Sequence, residues 1–297
     1  MAWLQLTLKT DKTVAVPLGE FLEGIGAISV SLTDAEDEPL LEPRPGETPL
    51  WQNIVATALF EGDSNQEIIQ TLISEAYPQC AESLSFESVE DREWLNEWKR
   101  DTTPKQYGDR LWVYPWDSPQ DDETQTIVYL EPGLAFGTGD HPTTAMCLSW
   151  LDQNIGQEHG DSSRVMDYGC GSGLLAIAAL KLGAESAVGV DIDEQALTAT
   201  LNNAEQNNVG DRIELRNIDD PKTASDETYD IVLANILSGI LIELSSTLTG
   251  LTRPGGHLVL TGILAEQADD VIAAYADTVS LSIQTDQDGW VMLAGRK

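Results

Sequence analysis

An α/β protein with a parallel sheet covered on both faces, preceded by a smaller α+β domain, is the fold class this sequence predicts. Three observations predict it. From about Ser163 short apolar runs alternate with helix-length ones; the chain closes on two strand-like runs with no helix between them; and the first ninety residues run strand, helix, strand, strand, helix, strand.

In order, "WLQLTL" (Trp3 to Leu8) alternates with the period of two that a strand with one covered face requires. "LGEFLEGIG" is a short helix stopped by glycine, and "AISVSL" and "NIVATALF" are strands. "SNQEIIQTLISEAY" is a helix with Ser64 or Asn65 as its cap, and "SLSFESV" is the last strand. This order is that of a ferredoxin-like split βαβ sandwich, so residues 1–90 are expected to form one small domain. Residues 91–125 are expected to be a Trp-rich helical linker, because Trp94 and Trp98 stand four apart and share one helical face. Either they pack that helix onto a domain or they offer an aromatic surface to a substrate.

The larger domain is expected over 126–297. "RVMDY" is a buried strand, "SGLLAIAALKLG" a helix ended by Gly183, and "SAVGVDI" a second buried strand. "EQALTATLNNAEQNN" is a helix, "RIELRN" and "YDIVLAN" are strands, "SGILIELSSTLTG" is one helix, and "GGHLVLTGI" is a strand before the helix "AEQADDVIAAYA". Near-continuous apolar strands alternating with helices indicate a parallel sheet. "SLSIQTDQDGWVMLAG" ends the chain as an antiparallel hairpin turning at Asp-Gln-Asp-Gly.

With 297 residues, 41% of them hydrophobic, the chain can fill two cores. It has no apolar run long enough for a bilayer and no secretory start, so a soluble cytoplasmic protein is expected. Cys80, Cys147 and Cys170 are odd in number and far apart, which argues against a disulfide framework. The histidines, His141, His159 and His257, lack paired ligand spacing, so no metal is expected. Fifty Asp and Glu against 16 Lys and Arg give a net charge of -34. Such a surface disfavours direct nucleic-acid binding and suits a basic polypeptide partner; it equally serves solubility or life at raised internal salt.

The chemistry concentrates at "DYGCGSG", the first strand-to-helix turn of the larger domain, with Asp167, Gly169, Gly171 and Gly173. Glycines there let the backbone approach a ligand. The nicotinamide fingerprint needs a third glycine where Leu174 stands, and the absence of a following lysine excludes a P-loop. Asp191, at the end of the next strand and 22 residues after Gly169, is placed to hold two ribose hydroxyls, or to cap the following helix. Asn235 ends the fourth strand, in "NIL", where on its residues alone it reads as a cap for the helix at Ser238.

This pattern resembles the class I S-adenosylmethionine-dependent methyltransferases, whose Rossmann-like seven-stranded sheet ends in such a hairpin. The resemblance implies S-adenosylmethionine as cofactor, with Gly169 and Gly171 against its methionine part, Asp167 binding the amino-acid part through water or backbone and Asp191 on the ribose. Asn235 would border the cofactor and accept a hydrogen bond from the reacting nitrogen. Ile236 and Leu237 replace the prolines of the adenine-methylating motif, and no aromatic residue follows to stack on a flipped base. "LEPGLAFGTGDHPTT", with "NIL" and "EWLNEWKR…LWVYPW", is similar to the family that methylates ribosomal large-subunit protein eleven. That similarity implies Phe136, Gly137, Thr138 and His141 lining the cofactor cleft and Thr144 touching the cofactor. It also implies a basic ribosomal protein as partner, recognised by the N-terminal domain, and methylation of lysine side chains, an N-terminal amine or both. His141, between Asp and Pro, is a turn residue or a base. A methyltransferase acting on a nucleic-acid or small-molecule amine is the alternative, and a dehydrogenase the more distant one.

Overall fold

The computed structural model describes residues 2–36, 50–90, 103–116, 118, 125–130, 141–156, 162–220, 223 and 227–297. The chain divides into two units, 1–94 and 95–297.

The first unit contains β1 (Ala2–Asp11), α1 (Ala15–Gly24), β2 (Ser29–Asp34), β3 (Asn53–Glu61), α2 (Gln66–Ala76) and β4 (Ser85–Glu90). The strands lie in the order β2-β3-β1-β4, every neighbouring pair antiparallel. β1 and β2 therefore run parallel with β3 inserted between them, which is the split βαβ arrangement. Alternation dictates the core: Leu4, Leu6 and Leu8 pair with Phe60, Ala58 and Ala56, and all six are buried. Leu18 and Leu22 of α1 and Ile69 and Ile73 of α2 cover that face. Of the two candidate caps for α2 it is Asn65 that acts, accepting from the Ile68 amide at 3.2 Å.

The second unit opens with β5 (Lys105–Tyr107), β6 (Leu111–Pro115) and β7 (Thr126–Leu130), a three-stranded sheet in that order. Within the span 91–125 read as a helical linker, Lys105–Tyr107 and Leu111–Pro115 are strands rather than helix, and Leu111–Pro115 pairs in parallel with Thr126–Leu130. The reason is burial: Leu111, Val113, Val128 and Leu130 join the core beneath the large sheet. Trp94 and Trp98 lie outside the described residues.

Next come α3 (Pro142–Asn154), β8 (Arg164–Tyr168), α4 (Leu174–Leu182), β9 (Ser186–Asp191), α5 (Glu194–Gln206), β10 (Ile213–Asn217) and β11 (Tyr229–Asn235). α6 (Ser238–Glu243), α7 (Ser245–Leu251), β12 (Thr252–Leu264), α8 (Ala268–Tyr275), β13 (Ser282–Gln287) and β14 (Trp290–Arg296) complete the unit. The single helix expected over "SGILIELSSTLTG" is two, separated at Leu244, whose ψ of 6° opens the helical turn.

The seven-stranded sheet has the order β10-β9-β8-β11-β12-β14-β13; its first five strands are parallel and its last three pair antiparallel. Ile231 and Leu233 of β11 enter the core on one face, and Val232 and Ala234 the core on the other. Double-sided burial is why these strands read as unbroken apolar runs. Asp288 (φ 51°) and Gly289 (φ 81°) turn the final hairpin, the two left-handed residues of a type I′ turn.

Candidate active site

From β8 the chain builds outward through β9 and β10, then returns to β8's other side and builds outward again from β11. The reversal opens a crevice at the carboxyl ends of β8 and β11, where open α/β sheets bind ligands. Gly169 follows the end of β8, Asp191 ends β9, and Asn235 ends β11.

The glycine turn is held by its backbone. The Gly169 and Cys170 amides both donate to the Val190 carbonyl, at 2.7 and 3.0 Å. Gly171 donates to Asp191 Oδ2 at 2.8 Å, and Asp191 Oδ1 accepts from the Asp193 amide at 3.0 Å. Asp191 does not cap α5: Asp193 does, accepting from Gln195 at 2.8 Å. Gly169 has φ +80°, and a Cβ there would stand 2.4 Å from the Ile236 Cγ2 methyl, so both backbone and space require glycine. Behind the turn, Thr200 donates to the Gly171 carbonyl at 2.9 Å and Asn203 to the Ser172 carbonyl at 2.8 Å. Sequence reasoning missed these supports. Their signal is present, because Thr200, Asn203 and Asn207 lie on one face of the α5 segment and all three are buried.

Asp167 is 1% exposed. Its Oδ2 accepts from the Ala176 amide in the first turn of α4 at 3.1 Å, while Oδ1 is buried with no hydrogen-bond partner among the described residues. Burial pushes this carboxyl up to about 7, against the lowering effect of the Ala176 amide and with a further push from the Asp191 charge. A buried carboxyl oxygen without a donor fits a ligand ammonium, and the partly exposed Asp191 carboxylate fits hydroxyl donors.

Across the crevice, Asn235 donates through Nδ2 to Thr144 Oγ1 at 3.3 Å. It does not cap α6, whose preceding residue, Leu237, carries no capping side-chain bond. His141 caps α3: its Nδ1 accepts from the Thr143 amide at 3.4 Å and lies 2.7 Å from Thr143 Oγ1. Its ring meets Trp290 edge-on at 4.9 Å, and burial lowers its pKa from the ordinary value. The turn reading of His141 thus has a definite local cause. Cys170 packs at 3.6 Å from Thr200 Oγ1, and burial pushes its thiol far up. Phe136, Gly137 and Thr138 lie outside the described residues.

The comparisons agree with this geometry. Residues 2–297 match the family described as ribosomal protein L11 methyltransferase (PrmA). A relative of that name from Pasteurella multocida (strain Pm70) is 46% identical over 297 residues, covering 100% of this chain and 99% of the relative. One from Hahella chejuensis (strain KCTC 2396) is 43% identical over 298 residues, covering 100% and 99%. The crystal structure of a ribosomal protein L11 methylase from Lactobacillus delbrueckii subsp. bulgaricus superposes with a TM-score of 0.57 at 31% identity, covering 66% of this chain and all of that one. Seven-stranded fold and full-length similarity lead to one conclusion: the chain belongs to the ribosomal protein L11 methyltransferase (PrmA) family, S-adenosylmethionine-dependent enzymes of class I fold.

Proposed function

We propose that this chain methylates amino groups of ribosomal protein L11, at lysine side chains, the N-terminal amine or both, with Asn235 orienting the nitrogen. The observation that carries the reading is the Asn235 amide at the mouth of the switch-point crevice, its nitrogen engaged by Thr144 and its oxygen left to accept. S-adenosylmethionine, when bound, supplies an electrophilic methyl group on a sulfonium. Asp167, Gly169, Gly171 and Asp191 are assigned to hold it on one wall and Thr144 on the other; Phe136, Gly137, Thr138 and His141 are assigned to line the cofactor.

A free lysine, with pKa of roughly 10.4, is an ammonium at neutral pH and has no lone pair to offer. Desolvation in the crevice favours the neutral amine. Asn235 Oδ1 takes one N–H of that amine, which aims the lone pair away from the amide and along the line of attack. The proton shed beforehand leaves to water. Because a carboxamide stays uncharged, it orients the amine while favouring its ammonium form far less than a carboxylate would.

Residues 1–90 are assigned to recognition of the substrate protein, joined through 91–125 to the catalytic residues of 126–297. The charge of -34 favours a basic polypeptide and opposes a nucleic-acid substrate. Buried, unpaired Cys80, Cys147 and Cys170 suit a reducing cytoplasm, and among the described residues no helix is long and apolar enough to cross a membrane. The test is incubation with labelled S-adenosylmethionine and separated ribosomal components. Label on protein L11 is expected; label confined to RNA or small molecules refutes the reading.

A further inference from the structure

The Asn235 side chain has one hydrogen bond among the described residues, to Thr144, 91 residues away in the chain. Thr144 sits in the first turn of α3 and is 3% exposed, so its side chain is held among packed neighbours. The Asn235 backbone is fixed too, paired in register with Thr261 of β12. What remains free is rotation of the amide.

That rotation matters chemically. A primary amide has an accepting side and a donating side, and whatever engages one decides where the other points. With the oxygen toward the amine, Asn235 binds an N–H and leaves the nucleophilic lone pair clear. Reversed, the amide would donate an N–H into that lone pair and block the attack. The Thr144 oxygen accepts one bond from Nδ2 through a lone pair, and its own proton stays available for an acceptor on the methyl donor.

We propose that Thr144 is a positioning residue for methyl transfer: its hydroxyl oxygen takes an N–H of Asn235 and so turns the Asn235 oxygen toward the incoming amine. The proposal rests on the assignment of Asn235 as the amine's acceptor, and it gives Thr144 a duty separable from any contact with the methyl donor.

A double-mutant cycle on the full chain separates these duties, with protein L11 and labelled S-adenosylmethionine both saturating and donor affinity measured by calorimetry. Thr144→Val keeps the side-chain shape without an oxygen and lowers kcat about ten-fold, as expected for a misplaced orienting group. Thr144→Ser, which keeps the oxygen, stays within about two-fold of the parent. In the Asn235→Ala background Thr144→Val costs no further kcat, whatever it does to donor affinity. An equal loss in both backgrounds overturns the proposal while leaving the Asn235 assignment standing. An unchanged kcat in Asn235→Ala overturns both. Should Thr144→Val fold poorly, Thr144→Ala replaces it, and the two Asn235 side-chain amide proton resonances are followed by NMR. The proton bonded to Thr144 moves upfield when the hydroxyl is lost while the other moves little; an unchanged shift of both contradicts the proposal.

Discussion

The two walls of the crevice are built on different principles. The glycine turn after β8 is held by redundant hydrogen bonds: two amides to Val190, one to Asp191, and two carbonyls taken by Thr200 and Asn203. The turn after β11 is marked by close packing. Ile236 is lodged between two glycines, with its Cγ2 methyl 2.4 Å from the place of a Gly169 Cβ and its carbonyl 2.3 Å from the place of a Gly262 Cβ. The side chain proposed to orient the amine, Asn235, has a single hydrogen-bond partner among the described residues. Redundant bonding suits a wall that holds a donor of fixed structure, whereas a lone, rotatable amide suits one that must aim each arriving nitrogen. Damage to the first should appear in donor affinity, and damage to the second in turnover.

The sharpest break in this contrast is at Gly262. Its φ is +84°, and a Cβ there would stand 2.3 Å from the Ile236 carbonyl oxygen, a backbone atom with nowhere to retreat. Gly262→Ala is expected to cost about 3 kcal/mol in a urea-unfolding measurement, through strain and displacement of the β11 turn.

A second effect belongs to the donor wall. The Asp167 carboxyl is raised from 3.8 to about 7, mainly by burial, so between those values the folded chain holds a proton that the unfolded chain has lost. The stability from this group is whole below 3.8 and is lost as pH rises through 7. Asp167→Asn does not titrate there. Without donor, the stability of the parent measured against this variant should therefore decline as pH rises across that window. A flat difference would show that Asp167 is already ionised in the free protein.

The smallest expected effect is at Thr200. Thr200→Val removes one of several bonds to the glycine turn, and its cost should be about 1 kcal/mol of stability with a few-fold loss of donor affinity. Because the wall is redundant, kcat at saturating donor should be nearly unchanged.

Much of this fold was legible in the sequence, for identifiable reasons. Strands buried on both faces, such as β8 and β11, announce themselves as apolar runs; β1 and β3, covered on one face, announce themselves by alternation; and Asp288-Gly289 has the residues that a two-residue hairpin turn demands. The β5-β6-β7 sheet was not legible. Its strands are three to five residues long, and the parallel pairing of β6 with β7 bridges a polar stretch that local pattern cannot cross. At the crevice, Asp167, the glycines, Asp191 and Asn235 were visible because each falls at a strand end. The Thr200 and Asn203 supports left only a weak mark, a short polar face shared with Asn207 in a helix that otherwise reads as an ordinary polar surface. The Thr144–Asn235 bond joins elements 91 residues apart, and such a contact leaves no mark on local periodicity.

The most direct test of the account is Asn235→Ala, with kcat for protein L11 methylation and the donor dissociation constant measured on the same preparation. The account predicts that kcat falls about a hundred-fold, as when a single aimed hydrogen-bonding group is removed, while donor affinity stays within a few-fold. A loss that appears in donor affinity while kcat at saturation is untouched would contradict it.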